Sequence, residues 1–176
     1  RLTCVRAFTD NDVWIRREMY DSGLTQLRYH VRRIARDDRK IVVDLDANGA
    51  KSAGFRVRLA YTLSEDGSLV IESEAEPFGK MPSALTRFGY TFVAEPGFEN
   101  VRWYGRGPME NYVDRRSSAF LGEYASTVTD QCEGSIRPQD TGAKTDVRWF
   151  ELTCADGHGI RFSSLEPFIA QALHLD

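Results

Sequence analysis

Between Trp103 and Arg116 the chain reads Trp-Tyr-Gly-Arg-Gly-Pro-Met-Glu-Asn-Tyr-Val-Asp-Arg-Arg. A plain surface turn needs only Gly, Pro, Asn or Asp. Here an aromatic pair precedes two glycines and a proline, and Glu110, Asn111, Tyr112, Asp114 and Arg115 follow within six positions. A segment this dense positions something or is pinned by its own hydrogen bonds. Carboxylates in such a place suggest acid–base work. Cleaving a glycosidic bond, for example, takes two carboxyl groups roughly 5–10 Å apart, one of them kept protonated. Glu110 and Asp114 lie in this segment, and Glu123 and Glu151 lie beyond it. No spacing brings a particular pair together. For each of them a structural role, capping a turn or pairing with Arg115 or Arg116, is favoured over catalysis.

A second polar cluster runs from Ile136 to Trp149 and includes Arg137, Gln139, Asp140, Lys144, Asp146 and Arg148. Arginines and carboxylates there would stiffen the loop through bidentate hydrogen bonds. The alternative is a concave, sugar-facing surface. His30, His158 and His174 show no H-x-x-H or H-E-x-x-H spacing, so no metal site is expected. His158 sits in Asp-Gly-His-Gly, a hairpin tip. His30 alternates onto a polar strand face. His174 is either a buried, hydrogen-bonded histidine or a site residue. Trp14, Trp103 and Trp149 have planes suited to stacking on sugars, although a strand tryptophan in a sandwich usually packs in the core. There is no G-x-S-x-G and no P-loop, and Gly105-Arg106-Gly107 falls short of a dinucleotide fingerprint.

The elements that must carry these groups show period two. Phe55, Val57, Leu59, Tyr61 and Leu63 alternate with Arg56, Arg58, Ala60 and Thr62, the pattern of a strand with one wet face. Asp66-Gly67 is a hairpin signal, and Leu69–Glu74 returns as the partner strand. Leu27/Tyr29/Val31, Ile41–Leu45 up to Asn48-Gly49, Phe88/Tyr90/Phe92, Asn100–Trp103, Val147–Leu152 up to Asp156-Gly157, and Ile160–Phe162 read as further strands. No window carries a helical stripe with caps, and only Ser117–Tyr124 suggests a turn of helix. The fold class is therefore all-β, a large antiparallel β-sandwich. Residues 1–176 read as a single domain without linker or repeat.

Composition is that of a soluble globular chain. A net charge of −3 argues against nucleic-acid or membrane attraction. Arg16, Arg17, Arg28, Arg32, Arg33 and Arg36 are interleaved with or followed by acids and read as solvated strand faces, not as a phosphate patch. Cys4, Cys132 and Cys154 are far apart and odd in number, which argues against a disulfide scaffold and suits a reducing compartment. No run of about 18 apolar residues exists to span a membrane. The start at Arg1 and the end at His174-Leu175-Asp176 read as cuts inside a longer polypeptide, with a truncated C-terminal sheet edge prone to self-association.

Gly105–Arg115 closely resembles the G-x-G-P-x-E-N-Y-x-D-R signature of large β-galactosidases of glycoside hydrolase family 2. Ile136-Arg137-Pro138-Gln139 with Gly142 and Thr145–Trp149 is similar to the segment that follows it in that family. Phe168 with Ala172-Leu173-His174, and Tyr124 with Ser126-Thr127-Val128, fall in register with it. Met109 and Val113 depart from the pattern, standing where the family often has a polar residue and a proline. The resemblance implies a C-terminal small-chain domain, a supersandwich like that of galactose mutarotases, and a retaining β-galactosidase as parent. The catalytic glutamates would lie on a separate (β/α)8 barrel, so no catalytic residue is assigned here. A tryptophan that the family presents to substrate falls beyond Asp176. Gly105, Gly107, Pro108, Glu110 and Asn111 carry over as a substrate-proximal loop, whose paired glycines fit a hinge. Asp114, Arg115, Arg137, Asp146 and Arg148 form its expected supporting network.

By the same resemblance no cofactor or metal belongs to this segment, while the parent carries Mg or Na near its barrel. The implied partners are a β-galactoside reached through the parent, the barrel and the other domains; the implied location is cytoplasmic or periplasmic in a bacterium. The alternatives are a stand-alone carbohydrate-binding sandwich and a mutarotase-like epimerase.

Overall fold

A computed structural model describes residues 1–174. It has the expected all-β, sandwich-like character: ten strands in three antiparallel sheets and a single short helix. Contacts divide the chain into two compact units, 1–91 and 92–176.

In the first unit β1 (Leu2–Thr3) pairs with β6 (Gly89–Tyr90), and β2 (Arg28–Arg36), β3 (Lys40–Asn48), β4 (Gly54–Leu63) and β5 (Leu69–Phe78) form a four-stranded meander. Strand β4 alternates as its sequence dictates, with Phe55, Val57 and Leu59 buried and Arg56 and Arg58 exposed. The Asp66-Gly67 turn joins it to β5, and the register runs unbroken from Leu63↔Leu69 to Gly54↔Phe78. On the wet side an open groove of about 820 Å³ is lined by Arg32, Arg33, Arg56, Arg58, Asp44 and Glu74. Its charges neutralise one another, Arg58 with Asp44 at 2.8 Å and Arg56 with Glu76 at 3.6 Å. These arginines and the acids facing them form a solvated lattice of both signs, far from the polar motifs in sequence.

The helix corrects the sequence reading. α1 spans Val13–Ser22, whereas residues 117–119 lie in a loop and 120–124 begin the strand Phe120–Thr127. Ile15, Met19 and Ser22 are buried, one stripe at spacings of four and three. The stripe is short, and exposed Val13, Trp14 and Tyr20 blur it. Arg16 and Arg17 therefore lie on a helix, not on a strand. The caps were nonetheless present in sequence. A 3-10 turn at Asp10–Asp12 leads into α1, and the Asp12 carboxylate accepts the Thr9 N–H at 2.6 Å and the Thr9 hydroxyl at 2.9 Å. Gly23, at φ 81°, ends the helix in the left-handed conformation that glycine adopts without a Cβ penalty. Ile15, Met19 and Leu24 share one core with Leu45, Ala47, Phe55, Val57 and Leu59 of the sheet.

In the second unit the sheet order is β10 (Gly159–Ala170), β9 (Lys144–Thr153), β7 (Asn100–Gly107) and β8 (Phe120–Thr127). Val101, Trp103, Val128, Val147 and Phe150 form its core. Among the described residues, no helix is long and apolar enough to cross a membrane.

Asp12 generates a prediction. Burial alone would raise its carboxyl pKa, but the Arg6 guanidinium, 2.6 Å away, and the two Thr9 donors more than reverse this and hold it below the ordinary range. A carboxyl depressed in the folded state stabilises fully above its unfolded value of ~4, and that stability is lost as pH falls through the folded value. Asp12→Asn is therefore expected to cost about 1–3 kcal/mol at neutral pH. Urea unfolding should show the difference from the parent chain closing as pH drops below ~4.

Candidate functional site

The first motif begins inside a strand. Along β7, Val101, Trp103, Gly105 and Gly107 are buried on one face, and Tyr104 and Arg106 are half-buried on the other. A Cβ on Gly105 would lie 2.9 Å from both Cα and Cγ2 of Val147. One on Gly107 would lie 2.8 Å from Tyr124 Cδ2 and 2.9 Å from Trp103 Cζ2. Neither glycine has a positive φ. Close approach, and not the torsional freedom of a hinge, is what requires glycine at both positions. The two rings that crowd Gly107 also pack on each other, with centroids 5.4 Å apart.

After a cis Gly107–Pro108 peptide the chain forms a loop over 108–119 before returning as β8. Asn111 holds that loop. Its side chain is buried and all four of its hydrogen-bonding valences are used. Nδ2 donates to the Arg106 carbonyl at 3.3 Å and the Met109 carbonyl at 3.0 Å, and Oδ1 accepts the Thr145 N–H at 2.9 Å and the Thr145 hydroxyl at 2.5 Å. Its own N–H donates to the Ala143 carbonyl at 2.8 Å. Glu110 beside it is paired with Arg115, and its second oxygen accepts the Gly142 N–H at 2.9 Å. Tyr112 and Arg115 close a turn on each other, the Arg115 guanidinium lies over the Tyr112 ring, and the Tyr112 hydroxyl donates to Asp140 at 3.1 Å.

The second cluster supplies the counterpart. Asp146 occupies the left-handed region at φ 52°, a conformation that aspartate tolerates better than most side chains. Its carboxylate accepts Arg106 Nε at 2.5 Å and Arg116 Nη1 at 3.2 Å, and Arg148 donates to its carbonyl. The Arg106 hydrogen bond, reinforced by the charges of Arg116 and Arg148, holds the Asp146 carboxyl below the usual range against a smaller burial effect. Lys144, at the start of β9, is 2% exposed with Nζ 5.2 Å over the Trp103 ring. Burial lowers its pKa, and the charges of Glu133 and Glu110 partly oppose this.

The two motifs thus meet, as one network across β7, the loop and β9. Asp146, Arg148, Arg115, Glu110 and Asn111 are in it, and Asp114 sits exposed in the Tyr112–Arg115 turn. Arg137 is exposed and is not among the partners of Asp146, Glu110 or Glu133. Arg116, Lys144 and Thr145 belong to the motifs read in sequence but were not assigned to the network. Arg116 and Thr145 adjoin named residues, and a lysine at the head of an alternating strand gives no sign of burial. The candidate carboxylates are held by cations or lie exposed on strands. Glu110 is engaged as above, Glu123 lies exposed on β8, and Glu151 lies between Arg102 and Arg161, 3.9 Å from each. Trp103 is core, whereas Trp14 is exposed. His174 is hydrogen-bonded but not buried: it lies 3.1 Å from the Thr129 hydroxyl and 3.4 Å from Glu99.

The site is thus a small all-β sheet unit whose two polar motifs lock one strand-to-strand loop. A family described as "Beta galactosidase small chain" matches residues 1–176, and the chain belongs to that family. It is 32% identical over 176 residues to a beta-galactosidase of Priestia megaterium, covering 96% of this chain and 16% of that protein. Against a beta-galactosidase of Halalkalibacterium halodurans it is 31% identical, covering 92% and 16%. Against beta-galactosidase BgaC of Bifidobacterium adolescentis it is 36% identical, covering 69% and 13%. The chain therefore spans about a sixth of the length of the first of these relatives.

Asn111→Ala strips partners from Thr145 and from two carbonyls in a buried site, and is expected to cost about 2–4 kcal/mol. Thermal unfolding measures it, and a loss under ~0.5 kcal/mol would be incompatible with the clamp described.

Proposed function

We propose that the chain works inside a larger β-galactosidase, as a domain that shapes one wall of the sugar site and supplies no catalytic glutamate. One observation carries this reading: the loop that carries the β-galactosidase-like motif is locked through Asn111, while its carboxylate, Glu110, is spent on Arg115 and the Gly142 N–H. Such a loop presents a fixed surface and has no acid to give. The proposed substrate of the parent is a terminal β-galactoside, cleaved with retention, by acids on a barrel that this chain does not contain. In this reading Gly105, Gly107, Pro108, Glu110 and Asn111 are positioning residues, with Asp146, Arg148 and Arg115 behind them. Any Mg or Na of the parent belongs near the barrel, and its compartment is the bacterial cytoplasm or periplasm.

The test is hydrolysis of a chromogenic β-galactoside by this chain alone and by the full-length polypeptide that carries it. Turnover is expected only in the latter. Hydrolysis by the isolated chain would overturn the reading. In the full-length protein Gly107→Ala pushes against Tyr124 and Trp103. It is expected to lower kcat/KM about ten- to a hundredfold, because small misplacements of a positioning group are amplified in the transition state.

The isolated chain is also expected to self-associate. β10 is an edge strand among the described residues, with Ile160, Leu165 and Ile169 exposed along it. Sedimentation should show a concentration-dependent dimer, and a clean monomer at high concentration would count against pairing through this edge.

A further inference from the structure

The hairpin joining β9 to β10 brings together Cys154, Asp156 and His158, none of which has a part in the loop network. One ligand atom from each lies within 4.8 Å of the other two. The turn itself fixes this arrangement. The Cys154 N–H donates to the His158 carbonyl at 2.9 Å, the Gly157 N–H to the Cys154 carbonyl at 3.0 Å, and the His158 N–H to Asp156 Oδ1 at 3.2 Å. The His158 ring stands edge-on to Phe98, with centroids 5.6 Å apart, and its Nδ1 lies 2.5 Å from Asp156 Oδ1. Cys154 is a free thiol, half-buried beneath two exposed partners.

A thiolate, an imidazole and a carboxylate are a donor set for zinc-class ions. The sulfur disfavours Mg²⁺ and Ca²⁺, which take oxygen ligands. The spacing C-x-D-x-H has no place among the familiar helical or finger motifs. The tight turn between β9 and β10 makes it converge, bending the chain so that alternate residues meet at the tip. Phe98 backs the imidazole from outside the hairpin. The fold thus brings three potential ligands together at an exposed hairpin tip.

We propose that Cys154, Asp156 and His158 form a three-ligand site for Zn²⁺, with water in the fourth position. On binding, the Cys154 S–H bond breaks, its proton passes to solvent and an S–Zn bond forms. The ion also takes the place of the proton between His158 Nδ1 and Asp156: that proton moves by way of solvent to Nε2, so that the ring binds neutral, and the contact widens to the roughly 3 Å that two ligands of one tetrahedral ion need.

The experiment is alkylation of the metal-free, full-length polypeptide with and without Zn²⁺, read at each cysteine by peptide mass spectrometry. The expected result is that Zn²⁺ protects Cys154, that Mg²⁺ does not, and that Cys132, exposed in the same unit, labels equally in both. His158→Ala should raise the Zn²⁺ concentration needed for protection by at least about tenfold. Zn²⁺ bound at other sites of the larger protein does not enter this readout. Equal labelling of Cys154 with and without Zn²⁺, or protection undiminished in His158→Ala, would overturn the proposal. A cobalt-substituted sample gives an independent reading: a thiolate-to-cobalt charge-transfer band lost in Cys154→Ser supports the site, and its absence in the parent protein counts against it.

Discussion

The buried amide of Asn111 is the interaction on which the second unit's motif region depends. It ties the end of β7, the loop and the start of β9 with two donated and two accepted hydrogen bonds. An amide is the group suited to this place, because it offers donors at one end and acceptor lone pairs at the other. A carboxylate there would face two carbonyls with like partial charge, and an apolar side chain would strand Thr145. Unsatisfied buried groups are costlier than made bonds are favourable. The other parts of the loop follow from this tie. Glu110 is held close enough to Gly142 to accept its N–H, and Tyr112 is carried inward to meet Asp140.

Electrostatics complete what the amide begins. Asp146 gathers Arg106 and Arg116 onto one carboxylate and Arg148 onto its carbonyl, so cations from β7, the loop and β9 converge on a single residue. The arginines would repel one another without it. Lys144 presents the opposite problem, a cation with little exposure whose described contact is an aromatic face. The indole of Trp103 compensates part of its desolvation. Trp103 therefore serves as core residue, as wall beside Gly107 and as platform for an ammonium, and that triple use explains its burial better than sugar stacking would.

Strand identity was legible in the sequence because burial on one face forces period two, and β4 shows it at every position from Phe55 to Leu59. The hairpins at Asp66-Gly67 and Asp156-Gly157 were legible because their turns demand those residues. The helix was not, since its buried stripe is short and its exposed positions include Trp14 and Tyr20. The run Ser117–Tyr124 misled for a related reason: β8 is defined by pairing with β7, a property of the partner and not of its own composition. In the site, residue types showed which groups were polar and charged, but not which pairs form. Asp146 with Arg106 spans forty positions. Arg137, equally suggestive in sequence, lies outside the cluster.

The satisfied network also restricts what the loop has left to offer a neighbour. Asn111 has no free valence, and the Glu110 side chain is only 12% exposed with both oxygens taken. Pro108, Met109 and the guanidinium of Arg115 remain at the surface. The loop therefore presents an exposed surface that is apolar at Pro108, Met109 and Val113 and carries charges of both signs at Asp114 and Arg115. Its glutamate and asparagine act from behind, by fixing where those groups stand. The motif is thus dense in polar residues because its geometry is demanding, and the chemistry those residues perform is directed inward.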